Sequence, residues 1–336
     1  MIRKILILIL IPVILLSAFA YYLNQPPSIM RDEVFVVHEG ESLRMISSRL
    51  KKNNLIKNSN FFLASGAVNP GYNYKSGKYR IKRGMTSFDI LKVIYLGRVL
   101  SEKITIPEGY NIYEIAEKLD DSGITSRREF LNYCTDRQFL KKIGINSSTA
   151  EGYLFPDTYV FNEDMNAGEV IKVMYKRFSN VIDSIGMKEI KKSGLSFGDV
   201  IKMASLIEEE AAVSTERKYI SSVFHNRIKK NMRFDCDPTV RYAVKKFSGR
   251  IYFSDLKTDS PYNTYLYKGF PPTPISSPGR ESILAAIYPA ESSFLYFVSR
   301  NDRSHYFSSS LKEHNSAVKK FRDGNGSGFT DNQRLN

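Results

Sequence analysis

The chain has 336 residues, of which 42% are hydrophobic, and 49 Lys and Arg against 35 Asp and Glu leave a formal net charge of +14. That apolar content suffices for two compact units and excludes a disordered chain, while two cysteines and four histidines give neither a disulfide framework nor a metal-ligand spacing. The positive charge raises a nucleic-acid reading, but the cations are scattered in pairs such as Lys51-Lys52 and Lys229-Lys230 without a nucleic-acid-binding motif, so no nucleic acid is expected as a partner.

Arg3 and Lys4 precede residues 5–23, which are almost wholly apolar, and the next charge is Arg31. A helix of that length crosses a hydrocarbon core of ~30 Å, and the basic end is expected to stay in the cytoplasm. Ala18-Phe19-Ala20 has the small-x-small form of a signal-peptide cleavage site, but the apolar run continues past it, which favours an uncleaved anchor. The reading is therefore a cytoplasmic end at 1–4, a single transmembrane helix at 5–23, a linker at 24–32, and everything beyond outside the cytoplasm at the cell (inner) membrane.

Residues 33–145 contain an internal repeat. VVHEGESLRMISSRL at residues 36–50 aligns with ITIPEGYNIYEIAEKL at 104–119, and RGMTSFDIL at 83–91 is a third, weaker copy. Each reads as a short strand, a glycine turn and an amphipathic helix. Cys134 and Cys236 lie far apart in sequence and read as two buried free thiols rather than a disulfide, although a pairing stays open.

Ser196 and Asp199 have capping-box spacing and start a helix. Its apolar stripe runs Val200, Met203, Ala204, Ile207, Glu208, Ala211, so Glu208 takes a core position while Glu209 and Glu210 read as solvated acids. A carboxylate in apolar surroundings has its charged form disfavoured and can hold a proton near neutrality, as a general acid requires. A structural ion pair is the alternative for Glu208. A second helix over 214–228 buries Tyr219, Ile220, Val223 and Phe224, with Glu216, Asn226 and Arg227 beside that stripe. A Glu216–Arg227 bridge between the helices is favoured over a direct chemical role for either. Asp237 and Pro238 read as the N-cap and first position of a further helix. The last residues, 321–336, are rich in Gly, Asn and Asp and are expected to be a disordered tail.

The run at 204–243, ASLIEEEAAVSTERKYISSVFHNRIKKNMRFDCDPTVRYA, resembles the signature of the endolytic murein transglycosylases, the MltG/YceG-like family, with its acid falling on Glu208. EGYLFPDTY at 151–159 resembles the opening motif of that family's catalytic domain. SPYNTY at 260–265, GFPPTPI at 269–275 and Ser277-Pro278-Gly279 resemble its later loops. Thr273 and Ser277 depart from the usual Gly and Asn, and Glu209-Glu210 is acidic where Lys-Glu is common, which bears on fine substrate contacts. The resemblance implies an α+β fold with an N-terminal transmembrane helix, a LysM-like β/α module at 33–145 associated with N-acetylglucosamine-containing glycans, and a mixed α/β catalytic domain at 146–320.

It also implies a lyase-type peptidoglycan lytic transglycosylase acting on glycan strands without a cofactor. Glu208 protonates the leaving glycosidic oxygen of the MurNAc-GlcNAc bond, the C6 hydroxyl of the muramic acid attacks its own anomeric carbon, and a 1,6-anhydro end results. Tyr262, Asn263 and Tyr265 are candidates for groove contacts, with a well-packed loop as the alternative, and Glu216 and Asn226 are candidates to orient Glu208. Such a cut in nascent strands would set glycan length, and peptidoglycan synthases stay open as partners. Two other readings remain: a non-catalytic wall-binding scaffold, and a hydrolytic muramidase that would need Glu216 or Asp237 as a second carboxylate.

Overall fold

The computed structural model describes residues 2–27, 32–67, 74–97, 99–163 and 165–323, leaving aside the side chains of 2–9 and 322–323. The first elements are α1 (Ile2–Asn24), β1 (Glu33–Val37), α2 (Leu43–Lys52), α3 (Ser59–Ala67), β2 (Gly77–Ile81) and α4 (Ser87–Leu96). Then come β3 (Ser101–Thr105), α5 (Ile112–Asp121), α6 (Arg127–Thr135), α7 (Arg137–Ile143), β4 (Thr158–Asn162), α8 (Ala167–Ile185) and α9 (Met187–Lys192). The chain continues with α10 (Phe197–Glu210), α11 (Arg217–Lys229), α12 (Asp237–Val244), α13 (Arg280–Ile287), β5 (Tyr296–Ser299), β6 (His305–Ser308) and α14 (Leu311–Asp323). The architecture is mixed α+β, and among the described residues the strands form three two-stranded sheets, β1-β2, β3-β4 and β5-β6.

Each repeat copy forms the expected strand, turn and helix. Gly40, Gly84 and Gly109 sit at φ +75°, +85° and +84°, a conformation that costs other residues a Cβ clash. Ser42, Thr86 and Asn111 then cap α2, α4 and α5, and Thr86–Asp89 and Asn111–Glu114 are complete capping boxes.

Two compact units result: residues 1–103 with 160–165, and residues 104–159 with 166–336. The repeat copy that begins at Ile104 belongs to the second of these units. In the first unit β1 pairs antiparallel with β2 in a register that sets Phe35 opposite Tyr79, and both side chains are buried with Ile46, Leu50, Phe62 and Ile90.

Helix α1 covers the segment expected to cross a membrane, and Leu10, Ile11, Ile14, Leu16 and Phe19 are exposed along it. Among the described residues no helix is long and apolar enough to cross a membrane, and the side chains of residues 5–9 lie outside the described ones. Of the expected linker, residues 28–31 lie outside the description. Of the segment 321–336 expected as a tail, residues 321–323 form the end of α14, and residues 324–336 lie outside the described residues.

The second unit is built around α10, whose Val200, Ile201, Met203, Ala204, Leu206 and Ile207 are fully buried, each contributing about 1–3 kcal/mol by removal of apolar surface from water. Helices α11, α12 and α13 pack against it, and the β5-β6 hairpin and α14 follow. Cys134 and Cys236 are buried free thiols, as expected.

Candidate active site

Ser196 caps α10 through the Asp199 amide, fixing the rotation that sends Val200, Met203, Ala204 and Ile207 inward and brings Glu208 to the inner edge in the last turn. The Glu208 side chain is 6% exposed, but its surroundings are polar, unlike the apolar setting the stripe predicts. Oε1 accepts from Arg217 Nη2 at 3.1 Å and Oε2 accepts from the Gly279 amide at 2.8 Å. Arg217 opens α11, and its Nε donates to Ser282 Oγ of α13 at 3.0 Å. Three helices thus meet at one carboxylate.

A second carboxylate stands beside it. Arg217 Nη2 lies 3.7 Å from Glu108 Oε2, so that oxygen and Glu208 Oε1 are no more than 6.8 Å apart, the sum of 3.1 and 3.7 Å. The turn carrying Glu108 is stitched to the Gly279 loop: the Gly109 amide donates to the Ser277 carbonyl at 3.0 Å and the Ser277 amide to that of Tyr110 at 2.8 Å. Partial burial first, and then the Glu208 charge, push the Glu108 carboxyl up, against Arg217, which lowers it. Sequence reasoning missed Glu108 because its Glu-Gly pair matches Glu39-Gly40 and reads as repeat consensus. It missed Arg217 because nothing in the helical pattern distinguishes it from the neighbouring Lys218.

Glu210 is not the solvated acid expected, whereas Glu209 is exposed, as expected. Glu210 accepts from Cys236 Sγ at 3.1 Å, and enclosure pushes its carboxyl up to about 7. Glu209 lines a cavity of about 70 Å³ with Asn111, Glu114, Arg241, Tyr242 and Phe247. Burial pushes its carboxyl up to about 7, although solvent still reaches the residue and tempers the effect there. Behind them Glu151 is fully buried. Its Oε2 accepts from the Ile112 amide at 3.1 Å and Tyr242 Oη at 2.9 Å, its Oε1 has no well-formed hydrogen bond among the described residues, and desolvation pushes it up to about 8.

The remaining expected residues each have hydrogen-bond partners within the chain. Glu216 pairs neither with Arg227 nor with Glu208; it accepts from the His305 amide at 2.9 Å and lies 2.8 Å from His305 Nδ1, tying α11 to β6. Arg227 instead donates to the Leu295 and Phe234 carbonyls and to Asp235 at 2.7, 2.6 and 3.3 Å. Asn226 donates to the carbonyls of Ser292 and Phe294 at 2.9 and 3.0 Å rather than orienting Glu208. Tyr219, expected inside, is 44% exposed.

Asn263 is fully buried and donates to the Leu256 and Thr258 carbonyls, both at 2.9 Å, so it closes its own loop. Tyr262 hydroxyl bonds Thr273 at 2.8 Å, and its ring packs on Tyr242 with centroids 4.9 Å apart. Tyr265 donates to Asp237, which is the first residue of α12, with Cys236 as N-cap, one position from the expected register. Among the described residues no group of His, Cys, Asp and Glu is placed to hold a metal ion.

What the arrangement can do is move a proton at Glu208 next to a fixed cation, with a half-exposed carboxylate, Glu108, on the same guanidinium. A profile of the YceG-like family matches residues 35–320. The chain is 35% identical over 301 residues to a Bacillus subtilis (strain 168) protein named endolytic murein transglycosylase, covering 85% of this chain and 83% of that one. A protein of the same name from Streptococcus pneumoniae (strain ATCC BAA-255 / R6) is 28% identical over 314 residues, spanning 84% of this chain and 57% of its own length. A crystal structure of a yceG-like protein from Listeria monocytogenes is 33% identical, with a TM-score of 0.61, and covers 85% of this chain and 99% of that one.

Proposed function

The chain belongs to the YceG-like family, and from that premise we propose that it is an endolytic murein transglycosylase with Glu208 as its acid and base. The observation that carries this reading is a nearly buried carboxylate, at the position the sequence motif marks, whose two oxygens are held by Arg217 and the Gly279 amide. Glu208 gives its proton to the glycosidic oxygen as the bond from the anomeric carbon of N-acetylmuramic acid breaks. The C6 hydroxyl of the same sugar then forms a bond to that carbon, and its proton passes to the Glu208 carboxylate, which ends as it began. No water enters, and the product end is 1,6-anhydro. Fixing the sugar so that C6 faces C1 supplies the effective molarity that an intramolecular attack needs.

Hydrolysis is the second reading, favoured by one observation: Glu108 offers the second carboxylate that a muramidase requires, and a separation of at most 6.8 Å overlaps the lower part of the range of hydrolytic carboxylate pairs, roughly 5–9.5 Å. Mass spectrometry of strands cut by the full-length chain in detergent separates the two. Anhydro ends on long fragments support endolytic transglycosylation, and reducing ends overturn it.

The repeat-bearing region is read as LysM-like and in contact with the glycan, supported by its three strand-turn-helix copies. Helix α1 is read as the anchor. Its 23 residues extend ~34 Å at 1.5 Å each, Leu10, Ile11, Val13, Ile14, Leu15, Leu16 and Phe19 are apolar and exposed, and Arg3 and Lys4 mark the cytoplasmic end. Retention of the chain in the membrane after alkaline carbonate washing supports the anchor, and its release overturns it.

A further inference from the structure

We infer that Glu108 is a positioning residue for Glu208, taking over the Arg217 guanidinium each time Glu208 carries a proton and returning it when Glu208 is a carboxylate. The inference rests on the transglycosylase reading, in which Glu208 alternates between acid and base.

The difficulty it answers is local. Arg217 is 14% exposed and donates to Glu208 at 3.1 Å, so a protonated Glu208 leaves a largely buried cation with its main partner neutralised. An uncompensated buried charge is costly. One nitrogen, Nη2, faces both Glu208 Oε1 and Glu108 Oε2, at 3.1 and 3.7 Å, and the second distance is long enough to shorten when the first pairing weakens. Arg217 Nε meanwhile stays on Ser282 Oγ at 3.0 Å, which gives the guanidinium a fixed pivot. Glu108 is 52% exposed and therefore has room to move, while its backbone is held by the two hydrogen bonds between the Gly109-Tyr110 turn and Ser277. Gly279 leaves the space: a Cβ there would overlap the Glu108 carboxyl.

The charged groups around the pair are few. Glu108 faces Glu208, Arg217 and Glu281, the last of which also pairs with Arg280 at 3.5 Å. Glu208 faces Arg217 and Glu108, with Glu209 following it on α10 and Glu114 and Glu210 beyond Glu209. Removing the Glu108 charge makes protonation of Glu208 harder on two counts, by deleting a neighbouring anion and by leaving Arg217 wholly to Glu208. The acid form is then lost at lower pH.

The test is Glu108→Gln in the full-length chain, with Glu108→Asp as the conservative variant. The alkaline limb of the rate of anhydro-end formation is expected to move down by about one pH unit in Glu108→Gln and to return in Glu108→Asp. A double-mutant cycle of Glu108→Gln with Glu208→Gln in thermal unfolding reads the shared cation without any turnover. The double variant is expected to lose about 3 °C more than the two single changes together, since only then is Arg217 left without a carboxylate. An additive cycle, or an alkaline limb that stays in place, overturns the inference. If wild type makes no anhydro ends, the transglycosylase reading fails and the handover with it, whereas the cycle separately reports whether the two acids share Arg217.

Discussion

Glu151 makes stability fall as pH rises, and the size of the effect follows from its burial. In the folded chain desolvation pushes the carboxyl from 4.5 up to about 8, so between those values the folded state holds a proton that the unfolded state has released. Fewer protons on the unfolded chain mean that unfolding free energy decreases with pH through this window and levels off above about 8. At about 1.4 kcal/mol for each pH unit and each proton, the loss from pH 5 to pH 7 is about 2–3 kcal/mol, or roughly 4–12 °C in Tm for a unit of this size.

The substitution Glu151→Gln removes the titration and keeps the shape. An amide oxygen replaces Oε2 as acceptor for the Ile112 amide and the Tyr242 hydroxyl, and the NH2 takes the place of Oε1. Urea and thermal unfolding of wild type and variant at pH 5 and pH 7 are the assay. Glu210, pushed up to about 7, adds a slope of the same sign in both proteins that cancels in the comparison, while that of Glu209, whose charge acts on Glu151, cancels only in part. The variant is expected to lose less stability than wild type over this interval, by about 2–3 kcal/mol. Parallel pH dependences would mean that Glu151 holds no extra proton in the folded chain over this interval.

Gly152→Ala is expected to destabilise by about 2–5 kcal/mol, combining a left-handed backbone with overpacking. Gly152 sits at φ +81°, and its new Cβ would overlap Pro274; thermal unfolding measures the loss. Asn226→Ala removes two hydrogen bonds that hold the Ser292–Phe294 carbonyls and is expected to cost about 1–3 kcal/mol while leaving the pH profile of product formation in place, since Asn226 does not touch Glu208. A thiol reagent is expected to label neither cysteine in the native chain and both after unfolding without reductant, because Cys134 and Cys236 are buried, unpaired and have thiols pushed well above their usual range.

The elements were legible in sequence where periodicity and capping agreed. Ser196, followed by the inward positions of α10, specifies both the start of that helix and its rotation, and Glu208 stands out as the one acid on an apolar stripe. The three repeat copies were visible because each carries a glycine that the turn requires. What periodicity cannot show is which distant side chain arrives opposite. Glu108 reaches Arg217 across about a hundred residues, through a turn stitched to the Ser277 loop. Glu210 looked solvated on its own helix, but Cys236 at the start of α12 encloses it. Glu216 and Arg227 sit within reach of one another on paper, yet each finds partners from the β5–β6 region, which no local pattern announces. Asn263 and Tyr265 lie in a loop motif that reads equally as a binding surface or as a self-packed turn, and the hydrogen bonds of Asn263 to Leu256 and Thr258 place it with the second.

The most direct test of the central claim sets the full-length chain beside its Glu208→Gln variant on intact peptidoglycan and identifies the released ends by mass spectrometry. Wild type is expected to give 1,6-anhydro ends and the variant none, with the variant folded and still bound to the glycan. Anhydro ends that persist in Glu208→Gln would contradict that claim.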